Sequence, residues 1–392
     1  MQGHIHKRVR TDRNGKETSR WYVVVDLGFG DDGRRKQKWH GGFRTRREAE
    51  AARAKLVTEI NTGSYVVPGR TTFEEWVRTS WLPMTEPRVK PTTFHSYKRN
   101  LELHVVPVLG RKRLQQLTAP VLTGLYARLA QDSEDGKGLS AKTISYIHST
   151  LHKVLSDAVD AGLLVKNVAA TAKPPRPNRR ATGGIQAWDP DELAGFLHAV
   201  RGTRLAAIWR LSAMTGMRRG EVLGLRWCDV DLDRARLSVR QALVAVGYEV
   251  VHSTPKSHSA RVIDLNAETV NQLRAHRRRQ DEERVEWGAD YQDRDLVVAK
   301  ENGEPIHPHT FSQSFERIVE KAGLPRIRLH DVRHTHATLA LKAGVPVKVI
   351  SERLGHESPA FTLKQYAHVI PGMQAEAAAQ VAAMIDGSPP SV

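Results

Sequence analysis

Six residues in the carboxy-terminal half of the chain have types that could together cleave a phosphodiester. In chain order they are Arg218, Lys256, His330, Arg333, His356 and Tyr366. Arginine is permanently protonated, and its planar guanidinium matches phosphate oxygens two at a time, so two arginines can neutralise a pentavalent phosphorus. A phenol with an ordinary pKa near ~10 is a poor nucleophile at neutral pH and needs a proton acceptor and nearby positive charge. The set therefore predicts attack by a tyrosine on a phosphorus atom.

The lysine and the two histidines of this set suggest proton transfer and charge neutralisation. Lys256 lies in the polar segment STPKSHS. A lysine among cationic neighbours has a lowered pKa, which would suit it to protonate the leaving 5′ oxygen. We expect His330 to accept the tyrosine proton or to donate to a phosphate oxygen, and His356 to donate to a non-bridging oxygen. The alternatives are a solvated surface lysine and, for His356, a purely structural histidine.

Neighbouring acids and histidines are predicted to support the set. Glu221 can pair with an arginine or cap the helix that follows Arg218, and Asp331 can orient an arginine or a histidine. We interpret His334 and His336 as packing or helix-capping residues. Their spacing with His330 could suggest a metal site, but the segment lacks the HExxH pattern. The sequence thus predicts no metal and no cofactor.

The motifs that contain these residues resemble those of the tyrosine recombinase (phage integrase) family. TGMRRGE, LHDVRHTHAT and LGHESPAFTLKQYAH are similar to the family's active-site boxes, in the family's order and with its Arg, Lys, His, Arg, His, Tyr complement. The resemblance covers most of the chain. It extends to the integrase subgroup that carries a small arm-binding domain at the amino terminus.

The resemblance implies a transesterification that requires neither ATP nor a metal ion. Tyr366 would form a 3′-phosphotyrosyl link and free a 5′-hydroxyl, and the 5′-hydroxyl of a partner strand would then attack that link. It also implies a homotetramer on double-stranded DNA attachment sites of core and arm type, a Holliday junction, and integration or excision of a phage or other mobile element. A directionality factor and a host DNA-bending protein are candidate partners. The alternatives are a type IB topoisomerase and a catalytically silent DNA-binding architectural protein.

The elements that must position these residues are predicted to form a catalytic domain over 185–392, mainly α-helical with a small antiparallel sheet. Asp189 and Pro190 are typical of a helix start. Gly216 is predicted to end one helix, so that the next begins beside Arg218. Residues 236–265 are predicted to form strands, with Lys256 in the loop between the last two.

The end of this domain is predicted to be helical as well. A short helix that starts after Pro359 carries Tyr366. The alanine-rich segment over 373–385 predicts a further helix that docks either within its own chain or on a neighbouring subunit.

Composition agrees with a nucleic-acid partner. The 392 residues suffice for two or three domains, and 60 Lys and Arg against 43 Asp and Glu give a net charge of +17. A cationic surface that serves only solubility is the alternative. The single cysteine, Cys228, excludes an intrachain disulfide and is predicted to be an inert core residue. The amino terminus lacks a signal peptide, and no run approaches the ~18 apolar residues of a membrane span. We therefore expect a soluble, DNA-associated protein of the bacterial cytoplasm without a membrane partner.

Residues 1–65 are predicted to form a small α+β domain of three strands and one helix that binds arm-type DNA. The segment over 21–27 and that over 37–40 are typical of strands, and a basic helix follows Thr45. The candidate DNA contacts are Trp21, Arg34 and Arg35. The alternative is that the aromatic residues only pack on the helix. The GFGDDG segment satisfies GxGxxG but is not followed by a helix, which favours a hairpin turn over dinucleotide binding.

Residues 70–172 are predicted to form an all-helical DNA-binding domain, which resembles the core-binding domain of the family. Helix starts are predicted at Thr72, Pro91, Thr118 and Ser140. The candidate phosphate contacts are Lys98, Arg99, Lys142, Tyr146 and Lys153, and their alternative is a solvated helix face. Residues 173–184 are predicted to be a basic linker in which Arg176, Arg179 and Arg180 run along DNA; a plain spacer is the alternative.

Overall fold

The computed structural model describes residues 3–11, 17–29, 33, 35–62, 65–132, 137–176, 186–253, 260–366, 381–382 and 384–386. The chain divides into two compact units, Met1–Asn178 and Arg179–Val392. Four predicted site residues lie outside the described part: Arg34, Arg179, Arg180 and Lys256. Of the helix predicted over 373–385, only 381–382 and 384–385 fall within the described residues, and they are helical.

The first unit begins with an antiparallel sheet in the order β1 (His4–Thr11), β2 (Glu17–Phe29) and β3 (Arg35–Phe43). The helix α1 (Arg46–Asn61) follows, and the Thr45 side chain accepts a hydrogen bond from Glu48 N at its start. Val23 and Val25 of β2 and Ala49 of α1 form the buried core between sheet and helix. The predicted α+β architecture is confirmed.

The face of β2 that carries Trp21 is the face that packs on α1. Trp21 is half-buried against the Val23, Val25 and Ala49 core, which agrees with the alternative that it packs on the helix, and its role as a DNA contact stays a prediction. Side chains alternate along a strand, and the opposite face presents Tyr22. There the Arg8 guanidinium lies 4.5 Å from the centroid of Trp39 and 5.8 Å from that of Tyr22.

The rest of the first unit is helical. Helix α2 runs through Phe73–Glu75, a π-helical stretch Trp76–Trp81, and Leu82–Thr85. Helix α3 runs through Pro91–Asn100, a second π-helical stretch Leu101–Val105, and Val106–Leu109. Helices α4 (Ala119–Ala130) and α5 (Ala141–Asp160) complete it. Residues at helical spacing on α5 bury one face in the core that these helices share: Ile144, Ile147, Leu151, Val154 and Leu155.

The second unit consists mainly of helices around an aromatic core. They are α6 (Pro190–Ala199), α7 (Ala206–Thr215), α8 (Arg219–Leu223), α9 (Ala267–Trp287), α10 (Pro308–Lys321), α11 (Leu329–Lys342), α12 (Val347–Leu354) and α13 (Pro359–Tyr366). Trp209 of α7 stacks on Phe311 of α10 with ring centroids 4.4 Å apart. Asp189 caps α6 and Pro190 opens it, as predicted.

Short antiparallel strands pair on this unit. One sheet has the order β4 (Val230–Asp231), β5 (Arg236–Val239) and β8 (Arg261–Asp264), and β6 (Ala242–Val246) pairs with β7 (Glu249–Ser253). Within the region over 236–265 that was predicted to form strands, the consecutive strands β5 and β6 thus belong to separate sheets. Lys256 falls between β7 and β8 in the sequence, in a segment outside the described residues, so its place in a loop stays a prediction. The catalytic unit is therefore mainly α with small sheets, as predicted.

Cys228 is exposed, so its prediction as a core residue is wrong. The short helical turn Trp227–Asp229 buries the side chains of Trp227 and Asp229, and this turns the residue between them outward. In the described part of the chain, no helix has the length and apolar character needed to cross a membrane.

Candidate active site

Two glycines in left-handed conformation build the backbone around the candidate active site. Gly216 ends α7 with φ 61°, and Gly355 ends α12 with φ 66°. A Cβ atom at Gly216 would lie 2.6 Å from Leu354 Cδ2, and one at Gly355 would lie 2.8 Å from Arg261 Nη1. The positive φ angles favour glycine at both positions, and a Cβ atom at either would also displace a neighbouring side chain. The carbonyl groups of the two glycines accept hydrogen bonds from the two predicted phosphate-binding arginines.

Arg218 lies at the start of α8, as the predicted helix end at Gly216 required. Its Nη2 donates to Gly355 O at 2.9 Å and its Nη1 to Glu221 Oε1 at 2.9 Å. The Glu221 carboxylate also accepts from the Arg218 backbone N–H at 2.9 Å and so caps the helix. The side chain of Arg218 remains 27% exposed. It is therefore fixed in direction and still accessible to a ligand.

Arg333 lies on α11 and is 4% exposed. Its Nη1 donates to Gly216 O at 2.9 Å and to Leu354 O at 2.8 Å. Its Nη2 is buried and has no hydrogen-bond partner among the described residues. Burial, and then the nearby Arg218 charge, lowers the pKa of Arg333 to about 9, so the guanidinium is still protonated at neutral pH. The site thus holds a buried cation with a free donor.

Arg261 is a member of this cluster that the sequence reasoning missed. It lies on β8, its Nη1 and Nη2 donate to the two Glu221 oxygens at 3.1 and 2.6 Å, and its Nε donates to Arg353 O at 3.0 Å. Glu221 is 2% exposed. Burial alone would raise the pKa of its carboxyl, but Arg261 and then Arg218 hold it below the ordinary value. Arg261 therefore neutralises the acid that positions Arg218.

Tyr366 ends α13 and is completely buried, at 0% exposure. Its phenol oxygen lies 2.7 Å from His334 Nδ1, and its ring stacks on that of His356 with centroids 6.5 Å apart. Burial raises the pKa of Tyr366 to about 12, although the Arg333 charge acts in the opposite direction. His334, which we interpreted from the sequence as a packing or capping residue, places a ring nitrogen against the candidate nucleophile.

The other predicted histidines surround this pair. His330 is exposed, and its ring meets that of His334 edge-on at 5.0 Å. His356 Nδ1 lies 2.7 Å from Thr362 Oγ1, and burial, followed by the Arg333 charge, lowers the pKa of His356 to about 4. His336 Nδ1 lies 3.0 Å from Ala213 O, which agrees with its predicted packing role.

Asp331 supports the start of α11 rather than a histidine. Its carboxylate accepts hydrogen bonds from Arg328 Nε and Nη2 at 2.9 and 2.8 Å, and from the Arg328 backbone N–H at 2.9 Å. The arginine that it orients is thus Arg328. Within the part of the chain that the structure describes, no three His, Cys, Asp or Glu side chains form a group that could hold a metal ion.

Five candidate DNA contacts of the first unit lie on exposed helix surfaces. Lys98 and Arg99 are exposed on α3. Lys142, Tyr146 and Lys153 are exposed on α5 at the spacing of one helical face, and we call them the α5 stripe. Tyr146 is 60% exposed. Arg35 begins β3, and Arg176 is exposed in the segment after α5.

Family models match three parts of the chain. The phage integrase family matches residues 187–372, the arm DNA-binding domain residues 8–60, and the SAM-like amino-terminal domain of phage integrases residues 72–130. A XerC-like tyrosine recombinase of Caldanaerobacter subterraneus is 30% identical over 95% of this chain and 97% of its own. The ICEBs1 integrase of Bacillus subtilis is 26% identical over 92% of this chain and 96% of its own.

Solved structures share the fold. The Tn1549 transposon integrase in complex with transposon right end DNA matches with a TM-score of 0.64 and 22% identity, over 80% of this chain and 100% of that chain. A lambda integrase tetramer bound to a Holliday junction matches with a TM-score of 0.56 and 18% identity, over 91% of this chain and 93% of that chain. With the site and the family matches, the chain belongs to the tyrosine recombinase (phage integrase) family and is a site-specific DNA recombinase of the tyrosine type.

Proposed function

We propose that this recombinase cuts and rejoins DNA through a 3′-phosphotyrosyl intermediate formed on Tyr366. The observation that carries the proposal is the incomplete hydrogen bonding of the buried Arg333 side chain. Its Nη1 is saturated by two backbone carbonyls, while its Nη2 is buried and free of a partner among the described residues. A buried cation without a carboxylate partner is costly unless an anion completes it, and a non-bridging phosphate oxygen fits that donor.

The remaining residues take roles around the same phosphorus. Arg218 is fixed by Glu221 and Gly355 O and offers further N–H groups to a second oxygen. Since these donors are already aligned, they need no reorganisation as charge develops in the transition state. His356 is held by Thr362 and is assigned to a non-bridging oxygen, and His330 to the phosphate at the exposed edge of the site. Lys256 is assigned as the general acid.

In the reaction, the Tyr366 oxygen forms a bond to phosphorus and the bond from phosphorus to the 5′ oxygen breaks. The tyrosine loses its proton, and the leaving 5′ oxygen gains one from Lys256. The 5′-hydroxyl of a partner strand then attacks the phosphotyrosyl bond, and Tyr366 is released. One phosphodiester-like bond replaces another at each step, so the exchange is close to balanced in free energy.

At the level of DNA, we propose that the chain integrates or excises a phage or other mobile element. The arm DNA-binding model at residues 8–60 and the SAM-like phage integrase model at residues 72–130 support the proposal of arm-type and core-type attachment sites. A homotetramer on two duplexes and a Holliday junction are proposed because the lambda integrase relative was solved as a tetramer on such a junction. A directionality factor and a host bending protein complete the proposed set of partners.

The test is covalent capture of DNA. The full chain is incubated with a library of nicked suicide duplexes that carry a randomised core, and adducts are separated on a denaturing gel and sequenced. We expect adducts with the wild-type protein and none with Tyr366→Phe. Failure of the wild-type chain to form any adduct would overturn the proposal. Relaxation of supercoils without strand exchange between two captured cores would favour the topoisomerase alternative.

A further inference from the structure

The phenol of Tyr366 has one hydrogen-bonding neighbour among the described residues, and that neighbour is His334. The distance from the phenol oxygen to Nδ1 is 2.7 Å, and the ring centroids are 5.7 Å apart. In the tautomer that carries its proton on Nε2, Nδ1 accepts the phenol O–H. A separation of 2.7 Å lies within the range that proton transfer between the two atoms requires.

His330, the residue that we predicted from the sequence as proton acceptor, is placed differently. It lies one helical turn before His334 and touches the His334 ring edge-on at 5.0 Å, and no hydrogen bond joins it to Tyr366. Its side chain is exposed, whereas His334 is half-buried and Tyr366 is completely buried. The position next to the nucleophile therefore belongs to His334.

We propose that His334 is a catalytic residue that accepts the Tyr366 proton as the phenol oxygen attacks phosphorus. The inference rests on the function proposed above and deepens it. The O–H bond of the phenol breaks, the proton moves to Nδ1, the oxygen forms its bond to phosphorus, and the electron pair of the broken phosphorus–oxygen bond leaves with the 5′ oxygen. The proton returns from His334 to Tyr366 when the 5′-hydroxyl of the partner strand attacks.

The surroundings of the pair are consistent with this role. Burial, and then His330, lowers the pKa of His334 to about 4, so the ring is neutral at neutral pH and, in the tautomer that is protonated on Nε2, its Nδ1 can accept a proton. With the pKa of Tyr366 raised to about 12, transfer ahead of attack is unfavourable and must accompany bond formation. The negative charge of a bound phosphodiester favours the protonated histidine. The other charged or titratable groups around His334 are His330, Asp331, Arg333, Arg328 and His356.

The test separates activation of the nucleophile from protonation of the leaving group. The substrate is a DNA duplex that carries a core sequence captured in the covalent assay, with sulfur in place of the bridging 5′ oxygen at the cleavage site. Its leaving group needs no proton. We expect His334→Ala to lower the single-turnover cleavage rate by about 10²- to 10⁴-fold on both the oxygen and the sulfur substrate. The cleavage rate of Lys256→Ala should be restored on the sulfur substrate. Added imidazole should restore the cleavage rate of His334→Ala. At a fixed pH, the restored rate should rise in proportion to the concentration of neutral imidazole.

Two further variants keep the proposal open to refutation if His334→Ala misfolds. His334→Asn retains a hydrogen-bonding atom near the Nδ1 position but cannot take up a proton, so we expect it to fold and bind DNA and yet cleave as slowly as His334→Ala. His330→Ala is the matched comparison on the same helix. Imidazole rescue of His330→Ala on the sulfur substrate, or near wild-type cleavage by His334→Asn, would overturn the assignment. An unreactive wild-type chain would instead count against the proposed function itself.

Discussion

The α5 stripe and the buried cluster of Arg218, Arg261, Arg333 and Glu221 hold positive charge in opposite ways. Lys142 and Lys153 are exposed on long, rotatable side chains, and Lys153 makes a single surface ion pair with Asp157 at 2.8 Å. The arginines of the cluster are instead tied to backbone carbonyls and to one buried carboxylate. Mobile charges suit contact with many phosphates along a duplex, whereas chemistry at one phosphorus needs donors that are already aligned.

We expect the buried cluster to be disrupted as a whole when its one acid, Glu221, is removed. Glu221→Gln leaves Arg218 and Arg261 without their shared counter-charge, and removal of one partner of a buried ion pair costs about 3–5 kcal/mol. We expect the free energy of unfolding to fall by that amount in urea denaturation. The double variant Glu221→Gln, Arg261→Leu should recover part of the loss. If Glu221→Gln unfolds like the wild-type protein, the carboxylate does not organise the site.

Loss of Arg333 should affect chemistry more than binding. Arg333→Lys keeps a positive charge but cannot donate to Gly216 O, Leu354 O and a phosphate with one planar group. We expect single-turnover cleavage to slow by about 10²- to 10³-fold, as for loss of an aligned donor to an oxyanion. DNA affinity should change little in a gel-shift assay. Equal losses in affinity and cleavage would make this arginine an ordinary phosphate contact.

The folded protein should lose part of its stability in acid through Glu221. The pKa of this carboxyl is lower in the folded chain than in the unfolded one, so its contribution is present above the unfolded pKa of about 4.3 and is lost as pH falls through the folded value. Urea denaturation at a series of pH values should therefore show a smaller acid loss in Glu221→Gln than in the wild-type protein. Parallel curves would contradict this prediction.

The α5 stripe should give the smallest effect. Lys142→Ala is expected to weaken binding to all sequences alike, by less than about tenfold, and to lower the slope of log affinity against log salt by about 1. Cleavage at saturating DNA should be unchanged, since the residue lies outside the catalytic unit. A matched variant on an acidic exposed position of the same helix, Asp160→Ala, should not weaken binding. An unchanged salt slope in Lys142→Ala would remove the stripe from the DNA interface.

Local signals made much of the fold predictable from the sequence. The helices predicted to follow four polar residues are all capped by them: Thr45, Thr72, Ser140 and Asp189. Such caps can be predicted because the capping side chain and the N–H group that it binds are only three residues apart. Gly216 was likewise readable as a helix end. The boundaries of the three predicted domains stay a prediction, as do the roles of the six catalytic residues.

The features that the sequence did not reveal depend on partners that are distant in sequence or on a tight local turn. Arg261 is forty residues from Glu221, and His334 is thirty-two residues from Tyr366, so no local pattern reports either contact. Trp21 and Tyr22 are adjacent in an apolar strand, and the side that meets α1 depends on the register of the whole sheet. Cys228 follows a buried tryptophan yet points outward, because a tight turn reverses the side-chain direction within one residue.

A phenol oxygen without exposed surface cannot meet a phosphorus atom until the packing around it opens while its contact with His334 is kept. Such an opening takes time, and DNA that departs before it occurs leaves uncut however well its phosphates fit the arginines. The recombinase would thus respond to the dwell time of a duplex as well as to its affinity. Brief encounters along a chromosome would leave no strand breaks behind.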